Sequence, residues 1–99
     1  MNLSFVGNLG NEPALKFAAN GSSYCFFSVA MDTAKQGDKR SKTIWWSCVA
    51  FQEVAEEISI NFKKGDVISV NHSTVQPIPD KRTGGTQLQV QVWDAGKLP

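Results

Sequence analysis

Apolar residues along the 99-residue chain alternate with polar ones in several separated stretches and recur at helical spacing in one. The pattern therefore predicts a mostly β protein with a single helix. Leu3–Gly10 opens as a short apolar strand and bends at Gly7 and Gly10, residues suited to a barrel corner. Pro13 interrupts pairing, Leu15-Lys16-Phe17 resumes an extended pattern, and Asn20-Gly21 is a strong hairpin signal. Ser23–Met31 continues as a long strand, with Cys25, Phe27, Val29 and Met31 on an apolar face and Tyr24, Phe26, Ser28 and Ala30 on a mixed one. The next strand, Thr43–Gln52, points Trp45, Ser47, Val49 and Phe51 one way and Trp46, Cys48 and Ala50 the other.

The period changes at Glu53–Lys64. Val54, Ala55, Ile58 and Phe62 share a helical face, acids fill the early turns, and Lys63 and Lys64 precede Gly65, which together predict a helix of about three turns. Asp66–Gln76 is the fourth strand, its apolar stretch set by Ile68 and Val70, and Pro77 and Pro79 are expected to end its pairing. A loop over Pro77–Gln87 leads to the fifth strand, Leu88–Trp93, with Leu88, Val90 and Val92 turned in and Gln89, Gln91 and Trp93 turned out.

Ninety-nine residues, 41% of them hydrophobic and 19% charged, suit one globular domain over 1–99. No apolar run reaches the ~20 residues of a membrane helix, and the first residues lack a signal-peptide layout, so a cytoplasmic protein is expected. Cys25, Cys48 and the lone His72 have no metal-ligand or disulfide spacing, so the cysteines read as buried free thiols and neither metal nor cofactor is expected. No nucleophile–base constellation suggests an enzyme.

The net charge of +1 leaves any attraction for a polyanion to the distribution of charge rather than its sum. Thr33–Lys42 sets Lys35, Lys39, Arg40 and Lys42 against Asp38 and reads as a basic hairpin loop leading into the Trp45 strand. Lys81 and Arg82 form a smaller basic pair in the last loop. If Cys48 and Ala50 line a narrow barrel, Trp45 and Phe51 stand outside it beside these cations. Unpaired bases offer flat apolar faces to stack on and phosphates need positive charge alongside, which is the chemistry of single-stranded nucleic acid. The alternative is that the aromatics are all core and the loop is merely solvated.

Three strands, a helix between the third and fourth, and two further strands make the layout of a five-stranded Greek-key barrel of the OB-fold. Within that layout, Val6-Gly7-Asn8-Leu9-Gly10 followed by Pro13, then Leu15-Lys16-Phe17, Asn20-Gly21, Thr43-Ile44-Trp45, Phe51, Val54-Ala55-Glu56 and Lys64-Gly65 together resemble the bacterial-type single-stranded DNA-binding protein family. The resemblance is collinear from residue 1 to about 76. It implies base stacking on Trp45 and Phe51, Lys16 near the DNA path, and a homo-oligomer, a tetramer or a dimer. It implies sequence-independent binding and protection of single-stranded DNA in replication, recombination or repair, in the cytoplasm at the nucleoid.

Two departures bear on that expectation. Lys35 or a neighbour stands where many members carry a further stacking tryptophan, and the Pro77–Pro79 region stands where another aromatic is common. The sequence also carries no acidic tail beyond Gly96–Pro99, so the expectation is a tailless member with weaker or redistributed DNA contacts. Two other readings stay open: a primosomal-type replication-restart accessory protein working through replication or primosome partners, and an OB module that binds only protein or RNA.

Overall fold

The computed structural model describes residues 2–33 and 42–98, with Thr33 and Lys42 described by backbone alone. The elements follow as β1 (Phe5–Leu9), β2 (Lys16–Phe17), β3 (Ser23–Thr33), β4 (Lys42–Phe51), α1 (Gln52–Asn61), β5 (Val67–Pro79) and β6 (Thr86–Lys97). The strands are ordered β1-β5-β6-β4-β3-β2, and β1 also pairs with β3 through Asn8↔Ala30 and Leu9↔Val29. That extra pairing closes β1, β5, β6, β4 and β3 into a ring, with β2 a short flap on β3. Closure depends on Gly7. A Cβ there would fall 2.5 Å from Ala30 O and 2.6 Å from Val29 Cγ1, so only glycine lets the two strands approach this closely.

Strand alternation fills the ring. Phe5 and Leu9, Cys25, Phe27 and Val29, Cys48 and Ala50, Ile68 and Val70, and Val90 and Val92 all point inward, while Ala55 and Ile58 of α1 and Phe62 just after it plug one end. Cys25 and Cys48 are free and buried, and desolvation pushes their thiols up to about 11 and about 12. Trp46 packs against Phe5 at the edge of the core, ring centroids 5.6 Å apart. Its Nε1 is buried with no hydrogen-bond partner among the described residues.

Several elements differ from the sequence reading, each for a local reason. The helix stops at Asn61 instead of Lys64, because Phe62 turns extended to enter the core and the Lys63 N–H donates to the Asp66 carboxylate at 2.8 Å. Gly65, at φ +92°, completes that turn, and its N–H reaches Leu9 O at 2.8 Å, tying the turn to the end of β1. Lys63 and Lys64 therefore follow the helix and do not cap its dipole. The Asn20-Gly21 hairpin forms, but as a turn in which the Gly21 N–H donates to Ala18 O and Gly21 itself takes φ +87°.

β5 runs straight through both prolines, pairing Pro77↔Leu88 and Pro79↔Thr86. Alternate residues present their nitrogens to the same edge, so two prolines two positions apart remove donors from one edge only. That edge has no strand neighbour beyond the Asn2↔Thr74 bridge among the described residues. The resulting β5–β6 hairpin outgrows the barrel, and Leu88, expected inside, is 55% exposed because it lies on the projecting arm. An irregularity at His72 shifts the register between Val70↔Ala95 and Ser73↔Val92, which lets both Val70 and Ser73 point inward.

Candidate nucleic-acid interface

β4 carries the aromatic pair out of the barrel. With Cys48 and Ala50 turned in, the opposite parity sends Trp45 and Phe51 to the outer face, where they are 60% and 44% exposed. Val49, between them, shares that face but is buried, flanked in the ladder by Phe26 of β3 and Gln91 of β6. The outer face is therefore continuous rather than two isolated rings on a bare strand.

Trp45 is held from beneath by a glycine. A Cβ built on Gly10 would fall 2.4 Å from Trp45 Cζ3 and 2.7 Å from Ser28 Oγ, so the indole occupies the space a side chain at position 10 would need. It reaches there from β4 across β3, where Ala30 is its ladder partner. Gly10 is itself fixed, its N–H donating to Ser28 O at 2.9 Å, and Ser28 donates its N–H and hydroxyl to Asn11 Oδ1 at 2.8 and 3.0 Å. One side of the ring thus rests on well-bonded backbone while most of its surface stays open.

Phe51 is placed by a break in the chain. It is the last residue of β4 and the N-cap of α1, still extended at φ −126° and ψ 148°, while Gln52 takes φ +54° to turn into the helix. A positive φ is uncommon for a non-glycine residue and concentrates at sites where the surrounding structure over-determines the backbone. Register then builds a row across the sheet: Lys16 of β2 faces Tyr24 of β3, which faces Phe51. Tyr24 also packs edge-on against Phe26, ring centroids 5.5 Å apart.

The structure thus brings together Trp45, Phe51 and Lys16, with Tyr24 and Phe26, on one outer face. Lys81 and Arg82 are exposed in the turn at the tip of the β5–β6 arm, where the Arg82 N–H donates to Asp80 Oδ1 at 2.9 Å and Gly84 N–H to Asp80 O. Because β4 and β6 are parallel, matched at Cys48↔Val90, that tip lies toward the Trp45 end and away from the Phe51 row. Lys35, Lys39 and Arg40 lie outside the described residues, and the side chain of Lys42 is likewise not described.

The strand pattern turns Trp93 outward without tying it to the site. Its parity with Gln91 is the available signal, and it becomes informative only with the parallel register: Val49↔Gln91 sets Trp93 beside Phe51. Trp93 is 48% exposed, and its Nε1–H donates to Thr74 Oγ1 at 2.8 Å. Phe26, half exposed, is equally visible as an even position of its strand and equally silent until the register puts Val49 opposite it.

A five-stranded ring plugged by one helix, open-faced across β3, β4 and β6, is an OB-fold barrel. The family model described as the single-strand binding protein family matches residues 1–95, and the chain belongs to that family. The single-stranded DNA-binding protein of Fusobacterium nucleatum subsp. nucleatum is 43% identical over 75 residues, 72% of this chain and 49% of that protein. Single-stranded DNA-binding protein 1 of Xylella fastidiosa is 36% identical over 72 residues, 69% of this chain and 53% of that protein. The single-stranded DNA-binding protein of Neisseria meningitidis serogroup A is 29% identical over 66 residues, 64% of this chain and 38% of that protein. The chain spans about half the length or less of these curated relatives.

Proposed function

We propose that this chain binds single-stranded DNA without reading its sequence, stacking bases on Trp45 and Phe51 and neutralising phosphates with Lys16 and with the basic stretch holding Lys35, Lys39, Arg40 and Lys42. The observation that carries this reading is that Trp45 and Phe51 stand out of the barrel along one strand, on the face that Lys16 enters through Tyr24. Rings exposed to this degree leave a face free for a ligand, and a base laid on each contributes ~1–3 kcal/mol. Lys81 and Arg82, at the arm's tip, supply weaker contacts to strand leaving the Trp45 end. Stacking ignores base identity because every base has a π-face, so the role is to coat and protect exposed single strands in replication, recombination or repair.

Two further parts belong to the same reading. The chain works as a homo-oligomer, since Ile60 on α1 and Leu88 on the arm are exposed apolar groups away from the stacking face. Its place of action is the nucleoid, where single strands arise, and contact with replication or primosome proteins occurs there.

The test is Trp45→Ala beside Phe51→Ala, with oligo(dT) affinity, a duplex control, light scattering and thermal midpoint measured on each. Each variant is expected to lose ~1–3 kcal/mol of single-strand affinity with its fold and assembly intact. Stability lost with affinity per folded molecule unchanged would make both rings structural and sink the proposal. A monomer at micromolar concentration would remove the oligomer from it.

A further inference from the structure

We infer that Trp93 is a third base-stacking platform, which continues the path from β4 onto β6 and seats a base in the hollow between its indole and Phe51. The inference rests on the proposed single-strand binding and deepens it.

Four observations converge on this ring. The first is position: Cys48↔Val90 and Val49↔Gln91 are parallel partners, so two residues further on Phe51 and Trp93 are neighbours on the same outer face. Lys16, Tyr24, Phe51 and Trp93 then form one row across four strands, spanning roughly 14 Å at the ~4.8 Å strand spacing. The second is space. A hollow of ≈ 460 Å³ is lined by Phe51, Gln52, Glu53, Val54, Gln91 and Trp93. On its other side Trp93 borders a second hollow, of ≈ 300 Å³, shared with Ile58 and Phe62 of the helix side. The indole is therefore a partition between two open spaces and not a lid on the core.

The third observation is charge. Neither Lys nor Arg lines the Phe51–Trp93 hollow among the described residues, and Glu53 does. A phosphate would be repelled there, while a neutral base would find two aromatic walls and the amides of Gln52 and Gln91. The cation of the row, Lys16, stands at its opposite end, so the backbone tracks along the Lys16 side and the base reaches across Phe51. The fourth is orientation: the Nε1–H of Trp93 is held by Thr74 Oγ1 at 2.8 Å. That bond fixes the ring in advance, which removes part of the ordering cost of binding. Thr74 is a positioning residue on this reading.

The experiment measures affinity for oligo(dT) of about four and about sixteen nucleotides, the range a single OB barrel covers, on Trp93→Ala, Trp93→Phe, Thr74→Val and Trp45→Ala. Trp93→Ala is expected to weaken binding of the longer strand about tenfold and to keep thermal midpoint and oligomeric state. Trp93→Phe keeps most of the affinity, and Thr74→Val loses an intermediate amount. Unchanged affinity of Trp93→Ala for the longer strand overturns the inference. So does a loss that appears only together with altered assembly or a lower midpoint, which makes Trp93 a subunit or packing contact. If Trp45→Ala is impaired and Trp93→Ala is not, this inference alone falls; if neither is impaired, the stacking face falls with it.

Discussion

Gly10→Ala is a one-carbon change at a residue that touches no DNA in the proposed mode, yet it should weaken binding through Trp45. The added methyl carbon would sit 2.4 Å from Trp45 Cζ3, 3.1 Å from Cη2 and 2.7 Å from Ser28 Oγ. Ordinary carbon contacts begin near ~3.5 Å, so the indole must retreat by about 1 Å. It can do so, because it is 60% exposed among the described residues. A fully buried aromatic covers ~150–250 Å²; the 40% of Trp45 that is covered is thus ~60–100 Å², and uncovering all of it would cost at most about 2.5 kcal/mol at ~25 cal/mol/Å². Gly10→Ala should cost about 1 kcal/mol of stability, part of it from crowding the Ser28–Asn11 hydrogen bonds. Affinity for oligo(dT) should fall several-fold, since the indole loses the backing that Gly10 gives it and its ring plane shifts by about 1 Å. The assay is a double-mutant cycle with Trp45→Ala, read by fluorescence titration and thermal melting. In the Trp45→Ala background the affinity effect of Gly10→Ala should vanish while some stability cost remains through Ser28. An equal affinity loss in both backgrounds would show that Gly10 acts on binding by another route and would refute the argument that it supports the indole.

Replacing Lys39 and Arg40 by alanine should weaken binding to every sequence about equally and lower the log–log salt slope by ~0.7 for each phosphate that is no longer neutralised; an unchanged slope would make that stretch a solvated surface. Asp66 accepts the Lys63 N–H and pairs with Lys97 Nζ at 3.3 Å, and the backbone hydrogen bond first, then the lysine, hold its carboxyl below the ordinary 3.8. A carboxyl lowered by folding stabilises above its unfolded value and loses that contribution as pH falls through the folded one. The gap in thermal midpoint between the wild type and Asp66→Asn should therefore be full at neutral pH and close on acidification below about 4. A gap that is constant with pH would mean that Asp66 acts only as a turn residue.

What could be read in the sequence was whatever rests on periodicity within one strand. The division of β4 into Trp45 and Phe51 outside and Cys48 and Ala50 inside follows from side-chain alternation, and the structure has it so. Ile60, off the helical stripe, is correspondingly exposed. What could not be read depends on neighbours far along the chain. Pro77 and Pro79 signal a strand end only if both edges of the strand are paired, and β5 has an open edge there. Leu88 fits the inward pattern of Val90 and Val92 but lies beyond the barrel's rim. Helix length was set by the Asp66 carboxylate and by the Gly65 N–H bond to Leu9, both contacts outside the helical pattern. The Lys16–Tyr24–Phe51–Trp93 row needed three registers at once, and no single-strand pattern contains it.

The prolines of β5 also constrain how copies of the chain can meet. A projecting two-stranded arm with an unpaired edge is ordinarily a template on which another strand can add, and growth of that kind has no natural stopping point. With Pro77 and Pro79 occupying alternate positions, that edge lacks the donors a new strand would need, while the inner ladder to β6 is intact out to Pro79↔Thr86. The β5 edge of the arm can therefore be long without being adhesive. A second copy that approaches from the β5 side must therefore lie against the arm's face, where Leu88 is exposed, instead of extending the sheet strand by strand.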